Sequence, residues 1–478
     1  MITGFTSLAA TFHLLFASNM KRMMLTPNPQ ARRRMFPALC RLVLALAIVG
    51  LASLAHAQDW VHIESSNGVD RIRIAAAGFK PLAADAGTQG YKHLFDTTLY
   101  TDLSNAGIFD LVSQSLAPTA TPGSPSEMVV AQWIAAPSNA AMVAFGSLTV
   151  AGSNVVVNGW LYDTKNSVDP KVLGAQYSEP ASVESVRQIA HRFADEIILR
   201  LGGGLPGIAE THLFYVHSSG GNKEIWEMDY DGQAQHAVTH LGAVSLSPRI
   251  SPDGNRLAFA SLGRDGWNIR IFSMLLGRLV SFPSLGGTNL SPAWSSDGRQ
   301  LAFSSSRTGD PEIYISDAVG GGLRRITSYR GPDVSPVWNP RTNSQIAWIS
   351  GRTGLPQLYI MDTDGTNVQR LTDGGYATSP SWSPNGQFLA FAWDRKYGPG
   401  APGGQDIYVM EVSTKKWIQL THDAGRCDFP SWSPDGRHIV FESVSGKNSA
   451  IWTMLADGTG RHKLTSSGGD SMPNWSWK

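Results

Sequence analysis

The chain is poor in cysteine and in charge. It has two cysteines in 478 residues, Cys40 and Cys427. Only 16% of the residues are charged, and 39 Lys+Arg nearly balance 38 Asp+Glu. A nucleic-acid-binding protein needs a basic footprint, so this composition argues against that class of partner. Leu42–Leu54 is an apolar run of 13 residues, too short for a comfortable transmembrane helix, which needs about 20.

The first 57 residues have the features of a secretory signal peptide. Three arginines from Arg32 precede the apolar run, and Ala55-His-Ala57 places small residues at the cleavage positions. Cleavage after Ala57 removes Cys40, so Cys427 cannot form an internal disulfide. Cleavage also removes six basic and no acidic side chains, which lowers the formal net charge from +1 to −5. We predict a mildly acidic mature protein in the compartment outside the inner membrane.

The carboxy-terminal half repeats the phrase Ser-Pro-x-Trp-Ser-Pro-Asp-Gly with variations. Its first prolines are Pro248, Pro292, Pro336, Pro380, Pro430 and Pro473. The steps are 44, 44, 44, 50 and 43 residues. A period in the forties with strand-like segments in each unit is typical of a β-propeller.

The number of blades follows from the second strand of each repeat. This motif occurs at Leu213–Val216, Leu257–Ala260, Leu301–Ser304, Ile346–Ile349, Leu389–Ala392 and Ile439–Phe441. The first copy has no Pro-x-Trp strand before it, and the final Pro473-Asn-Trp475 has no strands after it. If these two segments belong to one blade, they pair two sheet edges that would otherwise be exposed. The sequence therefore predicts six blades, with the innermost strand of the first supplied by the carboxy terminus.

Residues 58–204 lack the repeat and alternate strand and helix patterns. A capping box at Ser124 predicts a helix through Ala136, and a second helix with apolar residues at helical spacing ends at Gly202. Strands packed by helices indicate an α/β domain. We predict the organisation 1–57 signal peptide, 58–204 α/β domain, 205–208 linker and 209–478 six-bladed propeller.

Three catalytic or metal-binding interpretations were weighed. Asp229-Tyr-Asp231-Gly begins like a calcium loop but lacks the later ligands, so turn chemistry is favoured. His236 and His240 have no acidic residue beside them, so no metal site is predicted. Peptidases with such a propeller carry a G-x-S-x-G elbow, which is absent. We expect no enzyme activity and no cofactor; a carbohydrate-binding protein, a propeller lyase or a peptidase-associated propeller remain the alternatives.

The export signal, the small α/β domain and the six-fold repeat together resemble the TolB family, periplasmic components of the Tol-Pal system. Glu224–Gly232 and Gln357–Gly365 are similar to that family's third strands. The resemblance implies a monomeric, non-enzymatic periplasmic adaptor that links inner-membrane Tol proteins to the outer-membrane lipoprotein Pal. It implies roles in envelope integrity and in outer-membrane constriction at cell division. Other outer-membrane proteins are further candidate partners, and membranes are contacted only through partners.

The resemblance also implies two partner-binding regions. The mature amino terminus would be offered to TolA, with Trp60, Val61, Ile63 and Asp70 on a strand-like arm. Pal would bind over one propeller mouth. By loop position, that mouth is expected to carry Thr288, Asn289, Asp333, Val334, Thr378, Arg426 and Asp428.

Cleavage after Ala57 is directly testable. Protein released from the host periplasm by osmotic shock should begin at Gln58 on amino-terminal sequencing. Membrane-bound protein that retains Leu42–Leu54 would contradict the prediction.

Overall fold

The amino-terminal domain is a mixed sheet with helices packed on it. The structure, a computed structural model, describes residues 71–398, 404–422, 424–466 and 468–477, which lie in one compact unit. The strands are β1 (Ile72–Ala76), β2 (Lys80–Pro81), β3 (Phe109–Leu111), β4 (Met142–Ala151), β5 (Asn154–Asp163) and β6 (Lys171–Pro180). Their order is β3-β1-β4-β5-β6, with β2 also pairing with β4. The pairs of β4 with β1 and β2 are parallel, whereas β4-β5-β6 is antiparallel.

Two long helices pack on this sheet and on each other. The helices are α1 (Ala86–Asn105), α2 (Val130–Ile134) and α3 (Val183–Leu201). Asp85 caps α1 by accepting a hydrogen bond from the Thr88 backbone N–H, and Ser182 caps α3 in the same way. These caps satisfy amide groups that have no partner within the helix.

The helix predicted from Ser124 is wrong in extent. Pro125–Glu127 forms one 3₁₀ turn, and α2 has only five residues. The Glu127 carboxylate accepts hydrogen bonds from the Lys80 Nζ and the Gly123 backbone N–H instead of completing a capping box. The motif therefore closes a loop against β2.

Each repeat of the carboxy-terminal half forms a four-stranded antiparallel sheet. Blade 1 combines β7 (His212–Ser219), β8 (Asn222–Asp229) and β9 (His236–Ala237) with the last strand of the chain. Blade 2 is β10 (Ser245–Ile250), β11 (Arg256–Gly263), β12 (Gly266–Ser273) and β13 (Arg278–Val280). Blade 3 is β14 (Asn289–Trp294), β15 (Gln300–Ser305), β16 (Glu312–Asp317) and β17 (Arg324–Arg325).

The other three blades repeat this plan. Blade 4 is β18 (Asp333–Trp338), β19 (Gln345–Ser350), β20 (Gln357–Asp362) and β21 (Gln369–Arg370). Blade 5 is β22 (Tyr376–Trp382), β23 (Phe388–Asp394), β24 (Asp406–Glu411) and β25 (Lys416–Gln419). Blade 6 is β26 (Arg426–Trp432), β27 (His438–Ser445), β28 (Asn448–Leu455) and β29 (His462–Lys463). The predicted six-bladed propeller is confirmed.

The Ser-Pro-x-Trp phrase encodes a bulge in the innermost strand of each blade. In blade 3 the pairing of β14 with β15 shifts by one residue between Leu290 and Ala293. The residue before each proline has positive φ, close to +50°: Ser247, Ser291, Ser335, Ser379, Phe429 and Met472. A bulge adds one residue to one strand and increases its twist. Here it turns the chain so that Trp294 fills the wedge between blades.

The Ser-Pro-Asp-Gly phrase forms the turn from the inner strand to the second strand. In blade 3 the Ser295 hydroxyl donates to the Asp297 carboxylate (2.6 Å) and accepts from the Gln300 N–H (2.9 Å). The same carboxylate accepts from the Arg299 N–H (3.0 Å). Gly298 has φ +66°, a conformation that L side chains avoid.

The carboxy terminus closes the ring, as predicted. Strand β30 (Asp470–Trp475) pairs antiparallel with β7 and is the innermost strand of blade 1. The indole Nε1 of Trp475 donates to the Thr211 hydroxyl at 2.8 Å, and this tryptophan is 2% exposed. The first and last strands of the propeller therefore stabilise one another.

The two domains share one buried apolar cluster. It contains Phe193 and Ile197 of α3, Leu213 and Met228 of blade 1, and Trp475. The boundaries predicted at 57, 204 and 208 stay predictions. Within the described residues, no helix is long and apolar enough to cross a membrane.

Buried polar groups also join the two domains. The Arg187 guanidinium donates to Asp229 (2.8 Å) and Asp231 (3.1 Å) of the first Asp-x-Asp-Gly turn. Asp102 accepts from the Tyr230 hydroxyl (2.7 Å) and contacts His191 Nδ1 (2.8 Å). Burial, the largest single effect, opposes the charged form of His191, but its hydrogen bond with Asp102 and the negative charges of Asp102 and Asp231 together raise its pKa. The Asp229–Asp231 carboxylates thus bind an arginine of the other domain.

Ring closure predicts that β30 is essential for stability. Deleting residues 472–478 removes most of β30 with Trp475, and losing a buried tryptophan alone costs about 3–5 kcal/mol. We expect a large fall in Tm or aggregation in thermal unfolding followed by circular dichroism.

The matched control is deletion of residues 477–478 only. Trp477 is 40% exposed and lies beyond the strand, so its loss should change the Tm little. Equal melting temperatures for both truncated forms would contradict the closure mechanism.

Candidate functional site

The propeller presents two mouths, defined by the strand directions. The loop mouth is the end where the innermost strands begin, together with the turns between second and third strands. The turn mouth is the opposite end, with the Ser-Pro-Asp-Gly turns. In blade 3 the Ser306 N–H donates to the Thr288 carbonyl, and the Thr288 N–H donates to the Ser306 hydroxyl, both at 3.0 Å. The loop before β14 and the turn after β15 therefore meet at the loop mouth.

The turn mouth is partly occupied by the α/β domain. His438 Nε2, beside the turn of blade 6, lies 2.7 Å from the Asn105 carbonyl. The Arg437 guanidinium donates to the Gly202 carbonyl at 3.2 Å. Both contacts belong to blade 6, and the Tyr230–Asp102 contact adds blade 1. No contact of this kind is seen at the loop mouth among the described residues.

The structure places all seven predicted Pal-contact residues at the loop mouth, with very different exposure. Thr288 and Arg426 are exposed, and the Arg426 side chain is 64% accessible. Val334 and Thr378 are partly buried. Three are buried: Asn289, Asp333 and Asp428. Trp60, Val61, Ile63 and Asp70 of the predicted arm lie outside the described residues.

Asp333 is a structural anchor of blade 4. Its carboxylate accepts from the Trp348 indole Nε1 (3.0 Å) and from the Arg352 guanidinium (3.1 Å). The Arg352 guanidinium also lies 5.0 Å from the ring centroids of Tyr329 and Tyr359. Sequence position alone suggested a rim charge, but this carboxylate is fully buried. Its charge therefore orients Arg352 at the mouth rather than meeting a partner directly.

A hydrogen-bonded network connects blades 5 and 6 at the same mouth. The Thr378 hydroxyl donates to Asp428 (3.1 Å) and accepts from the Gln405 amide (2.5 Å). Arg426 donates to Gln405 (2.9 Å) and to Asp428 (3.4 Å). This brings three of the predicted residues into contact and leaves the Arg426 guanidinium largely in water.

A buried carboxyl lies beside this network. Burial raises the pKa of Glu442 to about 7, although a hydrogen bond from the Met472 backbone N–H works against the shift. The charge of nearby Asp428 contributes to this raised pKa, because two carboxylates at one place disfavour each other's charge.

A second set of mouth residues was missed by loop position. The turn between second and third strands carries an exposed or partly exposed basic side chain in five blades: Arg264, Arg307, Arg352, Arg395 and Lys447. Arg395 stacks on Trp417 at 4.1 Å, and Arg307 lies 5.8 Å from the Tyr314 ring. The signal is present in the sequence as an Arg or Lys one or two residues after the second strand of five blades. Together with Arg426 these side chains give the loop mouth a set of basic groups, with exposed Asp265 and Asp310 in the same turns of blades 2 and 3.

Comparisons with known proteins identify the relatives of this chain. The family model described as the TolB β-propeller domain matches residues 201–476. Tol-Pal system protein TolB of Mannheimia succiniciproducens is 34% identical over 234 residues, covering 48% of this chain and 52% of the relative. TolB of Cereibacter sphaeroides is 30% identical over 245 residues, covering 50% and 53%. The chain thus spans about half the length of the curated relatives it matches.

A solved structure matches over both domains. The crystal structure of TolB from Acinetobacter baumannii superposes with a TM-score of 0.72 at 25% sequence identity. The match covers 85% of this chain and 97% of that one. The order of α/β domain and propeller is therefore shared, and not the propeller alone.

The geometry predicts that the Asp333 carboxylate contributes to the folding stability of blade 4 and does not contact a partner directly. Replacing Asp333 with Ala leaves the Trp348 N–H and the Arg352 charge without their acceptor. Breaking a buried pair in this way costs about 3–5 kcal/mol. Denaturant unfolding should show a lower midpoint, whereas Thr288→Ala should stay within about 0.5 kcal/mol of the parent. Equal midpoints for the two variants would contradict the assignment.

Proposed function

Because the chain belongs to the TolB β-propeller family, we propose that it is a periplasmic, non-enzymatic adaptor of the Tol-Pal system. It would link inner-membrane Tol proteins to the outer-membrane lipoprotein Pal and serve envelope integrity and constriction at cell division. The observation that carries the proposal is the match to TolB over both domains in their order. The names of the curated relatives support membership of the system.

The loop mouth is the proposed Pal surface. It stays open in the described structure, whereas the α/β domain packs against blades 1 and 6 at the turn mouth. Its exposed side chains include several arginines, and those of Arg395 and Arg307 lie over aromatic rings, which holds them in place for contact. Arg426, Thr288 and Arg307 are the proposed direct contacts. The buried carboxylates of Asp333 and Asp428 are proposed to orient the Arg352 and Arg426 side chains that they contact.

The charge of this mouth specifies the partner surface. A ring of arginines favours an acidic face on Pal, because complementary charge speeds association and fixes orientation. Such rim interactions weaken as salt rises, since the screening length falls to about 8 Å at physiological ionic strength.

The amino-terminal arm is the proposed TolA contact. Residues 58–70 precede the first strand of the α/β domain, β1, and carry Trp60, Val61 and Ile63 among polar residues. A free extended segment binds by adding a strand to a partner's sheet edge. The two contacts would then lie on separate parts of the molecule.

The adaptor proposal predicts that the two binding activities can be lost separately. The double variant Arg307→Glu with Arg426→Glu should bind Pal at least about tenfold more weakly, chiefly through a slower association rate. Its Pal affinity should also depend less on the salt concentration. Deleting residues 58–70 should abolish TolA binding and spare Pal binding. Surface plasmon resonance at several salt concentrations measures both.

Arg299→Glu is the matched control, because Arg299 is exposed in a turn at the opposite mouth. It should leave Pal binding unchanged. Equal weakening by Arg299→Glu would place the contact elsewhere. Turnover of polysaccharide or peptide by the intact protein, with no Pal binding, would favour the lyase or carbohydrate-binding alternative and refute the adaptor.

A further inference from the structure

The central channel widens at the turn mouth into a cavity of about 290 Å³. Six tryptophans line it: Trp294, Trp338, Trp382, Trp432, Trp475 and Trp477. The loop mouth, where Pal is proposed to bind, lies at the other end of the innermost strands. The cavity is therefore a concave surface separate from the proposed Pal surface, and a ligand site in it does not depend on the adaptor function.

Arg249 is the charged residue among those that line this cavity. It stands two residues after the bulge of blade 2, where the other blades have Ala293, Val337, Ser381, Ser431 and Asn474. It also lines a narrow cavity of about 20 Å³ on the side of the loop mouth. Its side chain thus stands where the wide cavity narrows into the channel.

The Arg249 guanidinium lacks a counter-ion in the described part of the chain. Its Nη1 donates to the Pro248 carbonyl at 2.8 Å, and no carboxylate of the described residues contributes to its pKa or forms an ion pair with it. Burial lowers the pKa of Arg249 to about 10, so the group stays charged at neutral pH. A partly desolvated charge without a partner is costly, and a bound anion would remove that cost.

The indole N–H groups of these wall tryptophans are not available to a ligand in the cavity. The indole N–H of Trp294 donates to the Arg249 carbonyl (3.0 Å), and that of Trp338 to the Ala293 carbonyl (3.1 Å). The Trp432 Nε1 is buried and has no acceptor among the described residues.

We propose that this cavity binds a carboxylate carried on an apolar body, with the carboxylate on Arg249 and the body against the tryptophans. Arginine pairs with carboxylates through two parallel hydrogen bonds. Small-ligand sites combine apolar walls with a few placed polar groups, as here. The ligand is either a small free carboxylate or the carboxy terminus of a peptide with an apolar last residue.

Tryptophan fluorescence and calorimetry test the proposal on the mature protein. The probes are 3-phenylpropionate and its amide, and the peptide acetyl-Ala-Ala-Phe as free acid and as amide. At least one acid should bind with a Kd of about 1 mM or tighter, and its amide at least about tenfold more weakly. The phenylpropionate and peptide arms distinguish a free carboxylate from a peptide terminus.

Arg249→Met should abolish the preference for acid over amide while keeping the Tm at or above that of the parent, because an uncompensated charge is removed. Arg249→Lys keeps the charge but not the two-pronged geometry, and should retain only part of the preference. Arg299→Met, at the same mouth but exposed, should bind like the parent. The proposal is overturned by no saturable binding of either acid, by equal binding of acid and amide, or by unchanged preference in Arg249→Met.

Discussion

The structure depends on closure of a ring by the first and last strands of the propeller, which are joined by hydrogen bonds between residues 264 apart in the chain. Strand β30 pairs with β7, the Trp475 indole donates to Thr211, and the Ser476 hydroxyl accepts from the His212 N–H. Without this seam, blade 1 has no innermost strand and the sheets have two open edges. Such edges pair with other chains. The same seam lies inside the apolar cluster shared with the α/β domain, so closure and domain packing stabilise each other.

Ring closure also produces the two different mouths. A bulge with positive φ before each proline gives every innermost strand the same bend, and the residue three positions later, a tryptophan in five blades and Ile250 in blade 2, fills the wedge. One end of the channel is consequently walled by tryptophans and partly covered by the α/β domain. The other end is formed by loops whose lengths and charges vary freely, because they carry no wedge residue. Variation among blades at that end is where specificity for a partner can arise.

The periodic features and the helix that ends at Gly202 were predictable from local sequence patterns, whereas features decided by contacts between distant residues were not. Because the same phrase recurs in six copies, the blade and its turn can be recognised from sequence. The last copy, at Trp475, also shows that one inner strand has no partner strands after it. The capping box at Ser124 was a single local pattern. The hydrogen bond from Lys80 to Glu127, two residues that are distant from each other in the chain, takes the carboxylate that the capping box would have used. Asp333 appeared as a loop charge because sequence does not show that Trp348 and Arg352 surround it. Arg249 is not recognisable from its own repeat. It stands out only because the other five blades have an uncharged residue at the same position.

The central claim is that a partner binds over the loop mouth. Hydrogen exchange of the backbone amides, measured with and without the periplasmic domain of Pal, tests it most directly. The account predicts slower exchange in the loops before β14, β18 and β26 and in the turns that carry Arg307 and Arg395. Slower exchange confined to the Ser-Pro-Asp-Gly turns, or no change anywhere in the propeller at saturating Pal, would contradict it.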